Sequence, residues 1–134
     1  MHDVLSALER LGAKLSDLDE RFEFDSSDAL CADYVIERVR HAPRGSVVVI
    51  DYLQLLDQKR EHPELAVQVR TLKEFARDRG LILVLLSQID RSYDAAVTPV
   101  PGLDDVRLPN PLDLRLFDKA CFLHGDVVEV LEVH

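Results

Sequence analysis

The stretch "SVVVIDYLQLLD", residues 46–57, decides the reading of this chain. Four apolar residues, three of them valine, run directly into Asp51, and Leu53, Leu55 and Leu56 then resume the apolar run. A short continuous apolar run rich in β-branched residues is a strand buried on both faces. A carboxylate at its carboxyl end, followed by more leucine, is more than the start of a solvated loop.

The flanking sequence repeats the theme. Pro63 fits the first turn of a helix whose apolar face is Leu65, Val69, Leu72 and Ala76, with Phe75 alongside and Gly80 as its stop. "LILVLLS", residues 81–87, follows at once as a second apolar strand. Upstream, "DVLSALERLGA" predicts a short helix capped by Asp3 and ended by Gly12. "RFEFD" (21–25) predicts a strand by alternation, and a helix is expected from about Asp28 to His41. Residues 90–115 hold four of the six prolines and little periodicity, so they predict a long surface loop. "KACFLHGDVVEVLEV" predicts a hairpin turning at His124-Gly125-Asp126. Apolar strands alternating with amphipathic helices predict an α/β fold with a mostly parallel sheet covered on both faces.

The 134 residues suit one domain, and no apolar run approaches the length of a membrane span, so a cytoplasmic protein is expected. Cys31 and Cys121 stand far apart and are expected to be buried thiols. His41, His62 and His124 have no partners at metal-ligand spacing. No Ser-His-Asp pattern or G-x-S-x-G elbow offers a nucleophile. Arg70, Lys73 and Arg77 read as a solvated helix face. The net charge of −9 argues against binding nucleic acid through an overall field, because such affinity comes from neutralising phosphates. Only residues 46–99 approach balance, with eight acidic against seven basic side chains.

In parallel sheets ligands gather at the carboxyl ends of strands. Two such ends carry polar residues: Asp51, and the pair Ser87-Gln88. If the strands are neighbours, a carboxylate and an amide stand side by side, an arrangement suited to Mg²⁺ held through water with a phosphate beyond it. The plain alternative is that Asp51 caps a turn and Gln88 is solvated.

"VVVIDYLQLLD" resembles the Walker B segment of DnaB-type replicative helicases, which are RecA-like ATPases. "VRTLKEFARDRGLILVLLSQIDR", residues 69–91, is similar to that family's next helix, strand and Ser-Gln-(Leu/Ile)-x-Arg motif. "LDDVRLPNPLDLRLFDKACFLHG" is loosely similar to the segment that follows, so the resemblance spans residues 46–125. It implies a three-layer RecA-like P-loop NTPase core with the Walker B strand at 46–51, the sensor strand at 81–88, a DNA-loop region at 92–115 and a C-terminal β-hairpin. Chain 1–134 would then be a single partial domain. Asp51 would order water around Mg²⁺, and Gln88, with Ser87 beside it, would report the γ-phosphate of ATP. Arg91, and Arg107 as the sole cation between Ser92 and Asn110, would contact single-stranded DNA or a neighbouring subunit of a homo-oligomer. Tyr52 and Gln54 match the motif and are expected to pack or hydrogen-bond structurally.

The family's G-x-x-x-x-G-K-[ST] loop does not occur in these 134 residues, and neither its catalytic glutamate nor its arginine finger has a counterpart. The chain therefore reads as the second half of a nucleotide-binding core, truncated at the N-terminus and inactive alone. The alternative is a non-catalytic RecA-fold binding or assembly module. Without the P-loop strand, 81–87 would present an apolar edge, expected to be filled by dimerisation or by the chain's own hairpin.

Overall fold

The valine run does form a strand, but a short one with a single covered face. The computed structural model describes residues 2–12, 22–108 and 112–133. Strand β1 (Val47–Ile50) pairs in parallel with β2 (Ile82–Leu85), Val47 opposite Ile82 and Ile50 opposite Leu85. Both are shorter than the expected 46–51 and 81–88. Their backbone pairing nevertheless continues past both ends: Ile82 N–H donates to the Ser46 carbonyl (2.9 Å), Leu86 N–H to Ile50 (3.0 Å) and Leu53 N–H to Leu86 (2.6 Å).

This register puts Val48, Ile50, Leu83 and Leu85 on one face and Val47, Val49, Ile82 and Val84 on the other, because strand side chains alternate. The first face packs on α2 (Ala32–Val39) and α3 (Leu65–Arg79), with Val35, Leu53, Leu56, Leu65, Val69 and Leu72 in the same core. A shallow apolar pocket lined by Val39, Val48, Phe75 and Leu83, among others, opens beside it. The second face is bare: Val47 is 59% exposed, Val49 56% and Ile82 54%. The expectation of a sheet covered on both faces fails among the described residues. Both helices lie on one side, giving two layers there, and a period-blind apolar run cannot reveal which face lacks a cover.

Helix α3 ends as the sequence predicts. Gly80 adopts φ +66°, its N–H donates to the Arg77 carbonyl and Leu81 N–H reaches back to Ala76 at 2.8 Å, a left-handed cap. Helix α2 starts four residues later than expected. Asp25 and Ser27 use their oxygens on local turns, accepting from Ser27 N–H and Ala29 N–H. The first helical N–H, that of Ala32, instead donates to the Gln68 side chain (2.9 Å) on α3. Gln68 is 1% exposed, and its amide also donates to the carbonyls of Leu56 (2.6 Å) and Pro63 (2.8 Å). One side chain thus joins the start of α2, the approach to α3 and the 3₁₀ turn Leu53–Asp57 that follows Asp51.

The strand expected at 21–25 is absent over residues 22–25, and Arg21 lies outside the described residues. Its charged positions bind α2 instead: Arg38 pairs with Glu23 and Asp25, and Tyr34 O–H donates to Asp25 at 2.7 Å. The first helix, α1 (His2–Arg10), begins before Asp3, so Asp3 is not its cap; Gly12 follows it with φ +79°.

The C-terminal hairpin forms as expected. Strands β3 (Lys119–His124) and β4 (Val127–Glu132) pair antiparallel around Gly125-Asp126, with Gly125 at φ +58°. They make a separate two-stranded sheet and do not enter the edge beside β2. Lys73 leaves its expected solvated face: its ammonium donates to the Leu116 carbonyl (2.7 Å) and anchors the 3₁₀ turn Leu114–Leu116 to α3. Cys31 is half-buried and Cys121 exposed, so neither is the buried thiol expected. Among the described residues no helix is long and apolar enough to cross a membrane.

Candidate nucleotide-facing strand ends

The parallel register of β1 and β2 makes their carboxyl ends neighbours. Asp51 follows β1 immediately and is exposed, and the Asp51–Tyr52 peptide bond is cis. Ser87 and Gln88 leave β2 beside it, both exposed. The bonds between Leu86, Ile50 and Leu53 hold the two exits together.

Beyond Gln88 the chain does not simply wander. Ile89 and Val106 form an antiparallel bridge. Asp90 N–H donates to the Asp105 carbonyl (2.6 Å) and Arg107 N–H to the Gln88 carbonyl (2.9 Å). Residues 88–90 and 105–107 therefore form the stem of a loop rooted on the end of β2. The Arg107 guanidinium donates to Gln88 Oε1 at 3.2 Å, so the two side chains singled out from sequence meet each other. Arg107 is half-buried, whereas Arg91 is exposed in the loop. The loop opens on a local turn: Ser92 N–H donates to the Asp90 carboxylate, and this bond, more than Arg107 and Arg91, holds that carboxyl below its usual range.

Gln54 completes the network. Its Nε2 donates to Ser87 Oγ (3.0 Å) and to the Arg107 carbonyl (2.6 Å). The expectation that Gln54 hydrogen-bonds holds, but its partners are the site's own residues. Gln68 was missed altogether, although its place within the 65-68-69-72 stripe put a polar residue on an apolar face.

As a metal site the arrangement has one carboxylate at the strand ends. Among the described residues no three His, Cys, Asp or Glu side chains form a group able to ligate a metal directly. One carboxylate at the strand ends, with a hydroxyl and an amide on the neighbouring strand exit, fits Mg²⁺ held through its water shell, since that ion keeps several waters.

Residues 6–113 match the model of the DnaB-like helicase C-terminal domain. The chain belongs to that family. A probable replicative DNA helicase of Guillardia theta is 42% identical over 65 residues, 46% of this chain and 11% of the relative. A probable plasmid replicative DNA helicase of Chlamydia trachomatis serovar L2 is 35% identical over 75 residues, 54% of this chain and 17% of the relative. The replicative DNA helicase DnaB of Nostoc sp. is 36% identical over 63 residues, 46% of this chain and 7% of the relative. The chain thus spans less than a fifth of these relatives. No solved structure matches at comparable stringency. DnaB-like C-terminal domains have a RecA-like α/β fold, and the parallel pair β1–β2 with α3 as its crossover is a piece of such a sheet.

Proposed function

We propose that this chain supplies the Walker B side of an ATP–Mg²⁺ site in a DnaB-like helicase domain. The observation that supports the reading is the β1–β2 register, which makes neighbours of the strand ends that lead into Asp51 and into Ser87-Gln88. In this reading Asp51 orders the water shell of Mg²⁺, Ser87 lines the site, and Gln88 reports the γ-phosphate to the loop stem. The chemistry the bound ion supplies is charge neutralisation of the transferred phosphoryl group. Arg91, exposed in the loop, meets single-stranded DNA or a neighbouring subunit. Arg107 turns inward to Gln88, so its contact is with the sensor before any DNA. The complete domain is a three-layer, mostly parallel sheet, of which 1–134 is one partial domain. It works in a cytoplasmic homo-oligomer, and these residues alone do not hydrolyse ATP because they contain no phosphate-binding loop.

Mn²⁺ in place of Mg²⁺ tests the site on this chain directly. Paramagnetic broadening is expected at the amides of Asp51, Tyr52, Ser87 and Gln88, and is lost in Asp51→Asn. Broadening unchanged by that substitution refutes the assignment.

A second reading, a non-catalytic assembly module that kept the fold, is favoured by the charge of −9 and the missing loop sequence. Sequencing the in-frame DNA upstream of the Met1 codon separates the two. A G-x-x-x-x-G-K-[ST] there supports the ATPase. A stop codon with no such motif supports the module.

A further inference from the structure

We propose that Gln54 is a positioning residue: its carboxamide clamps the stem of loop 90–107 to the end of β2 and so fixes where Arg107 holds the Gln88 side chain. The clamp is a matter of geometry alone; its purpose, tying the state of the strand ends to the loop, rests on the function proposed above.

Gln54 lies in the 3₁₀ turn that follows Asp51, so it belongs to the β1 side of the site. Both of its partners belong to the β2 side: Ser87, one residue before Gln88, and the carbonyl of Arg107, on the returning arm of the stem. The Arg107 carbonyl can only accept, so the amide nitrogen must face it and the side chain has one orientation. The remaining oxygen, Oε1, is buried and has no hydrogen-bond partner among the described residues. Arg107 closes the circuit, since its N–H binds the Gln88 carbonyl and its guanidinium the Gln88 amide oxygen. Among the described residues Gln88 makes no hydrogen bond to the β1 side; Gln54 reaches it through Ser87 and Arg107. A displacement of the 3₁₀ turn is thereby passed to the root of the loop.

Amide hydrogen exchange on the whole chain reads the clamp. Gln54→Leu keeps the bulk and removes both donors. Exchange at the Asp90 and Arg107 amides, which close the stem, is expected to speed by about tenfold or more. The amides of Gly45 and Ile82, at the far end of the sheet, are expected to stay within about twofold. The Arg107 guanidinium resonance should move toward its free position. Gln54→Glu adds a signature that packing cannot mimic. As a carboxylate it has no donor, and the stem opens at neutral pH. As the pH falls through the carboxyl's titration, the protonated group regains one donor and part of the protection returns, which Gln54→Leu does not show. Equal acceleration at all amides, or a Gln54→Glu protein as protected as wild type at pH 7, overturns the proposal. The nucleotide-site reading fails separately, through the Mn²⁺ experiment with Asp51→Asn, and its failure would remove the clamp's purpose while leaving the exchange result intact.

Discussion

Replacing Gln68 with leucine tests how the 3₁₀ turn after Asp51 is held in place. The substitution preserves size in a site that is 1% exposed, and it strips partners from Ala32 N–H, the Leu56 carbonyl and the Pro63 carbonyl. Leaving a buried polar group unpaired costs about 1–3 kcal/mol. The Pro63 bond is only partly buried and counts for less. Taking the low end for each of three groups, and setting leucine's own apolar burial against the higher values, the expected loss is about 3 kcal/mol. At roughly 4 °C per kcal/mol for a domain of this size, the melting temperature falls by about 12 °C. Urea unfolding followed by far-UV circular dichroism gives the free energy, with an unchanged slope confirming that the states compared are the same. Gln68→Glu should be worse at pH 7, because it retains the acceptor for Ala32 but turns a carboxylate toward two carbonyls. It should recover as the pH falls and the carboxyl protonates. A loss under about 1 kcal/mol in Gln68→Leu would show that the three bonds do not define the junction.

Other substitutions probe separate joints. Gly80→Ala forces a side chain into a left-handed backbone and against the Arg44 side chain, and should cost about 1–2 kcal/mol in urea unfolding. Tyr34→Phe removes the bond that, ahead of the Ser27 amide and Arg38, keeps the Asp25 carboxyl below its usual range. A depressed folded pKa adds stability above the unfolded value, which is lost as the pH falls through the folded one. The deficit of Tyr34→Phe should therefore be full at pH 7 and shrink below about pH 4, as paired urea midpoints will show. Lys73→Met keeps the aliphatic stem but drops the bond to Leu116; it should cost about 1 kcal/mol and speed proteolytic cleavage at the neighbouring Arg115.

The parts of the fold that were legible in the sequence are those where one local signal suffices. The apolar runs gave β1 and β2, Gly80 gave the end of α3, and His124-Gly125-Asp126 gave the hairpin. Side-by-side strand ends were conditional on the two strands being neighbours, a condition the parallel register meets. What stayed hidden depends on contacts between distant segments. Residues 22–25 alternate like a strand, yet Glu23 and Asp25 are drawn to Arg38 across the chain. The cap of α2 comes from Gln68, thirty-six positions away. Arg107 reads as a lone loop cation until the stem folds back and sets it on Gln88.

The bare face of β1 and β2 also bears on how the protein behaves in the tube. Val47, Val49, Ile82, Val84 and Leu86 form an uncharged patch on the order of a few hundred Å², the size at which surfaces begin to adhere. Most of the net charge of −9 lies in sequence outside residues 46–99. Repulsion between molecules therefore acts from a distance, while adhesion acts at contact, and electrolyte alters only the first. At 0.01 M salt the repulsion extends about 30 Å; at 1 M it extends about 3 Å. The ionic strength of the buffer thus becomes a control on association, with sedimentation coefficients rising as salt is added and falling again on dilution.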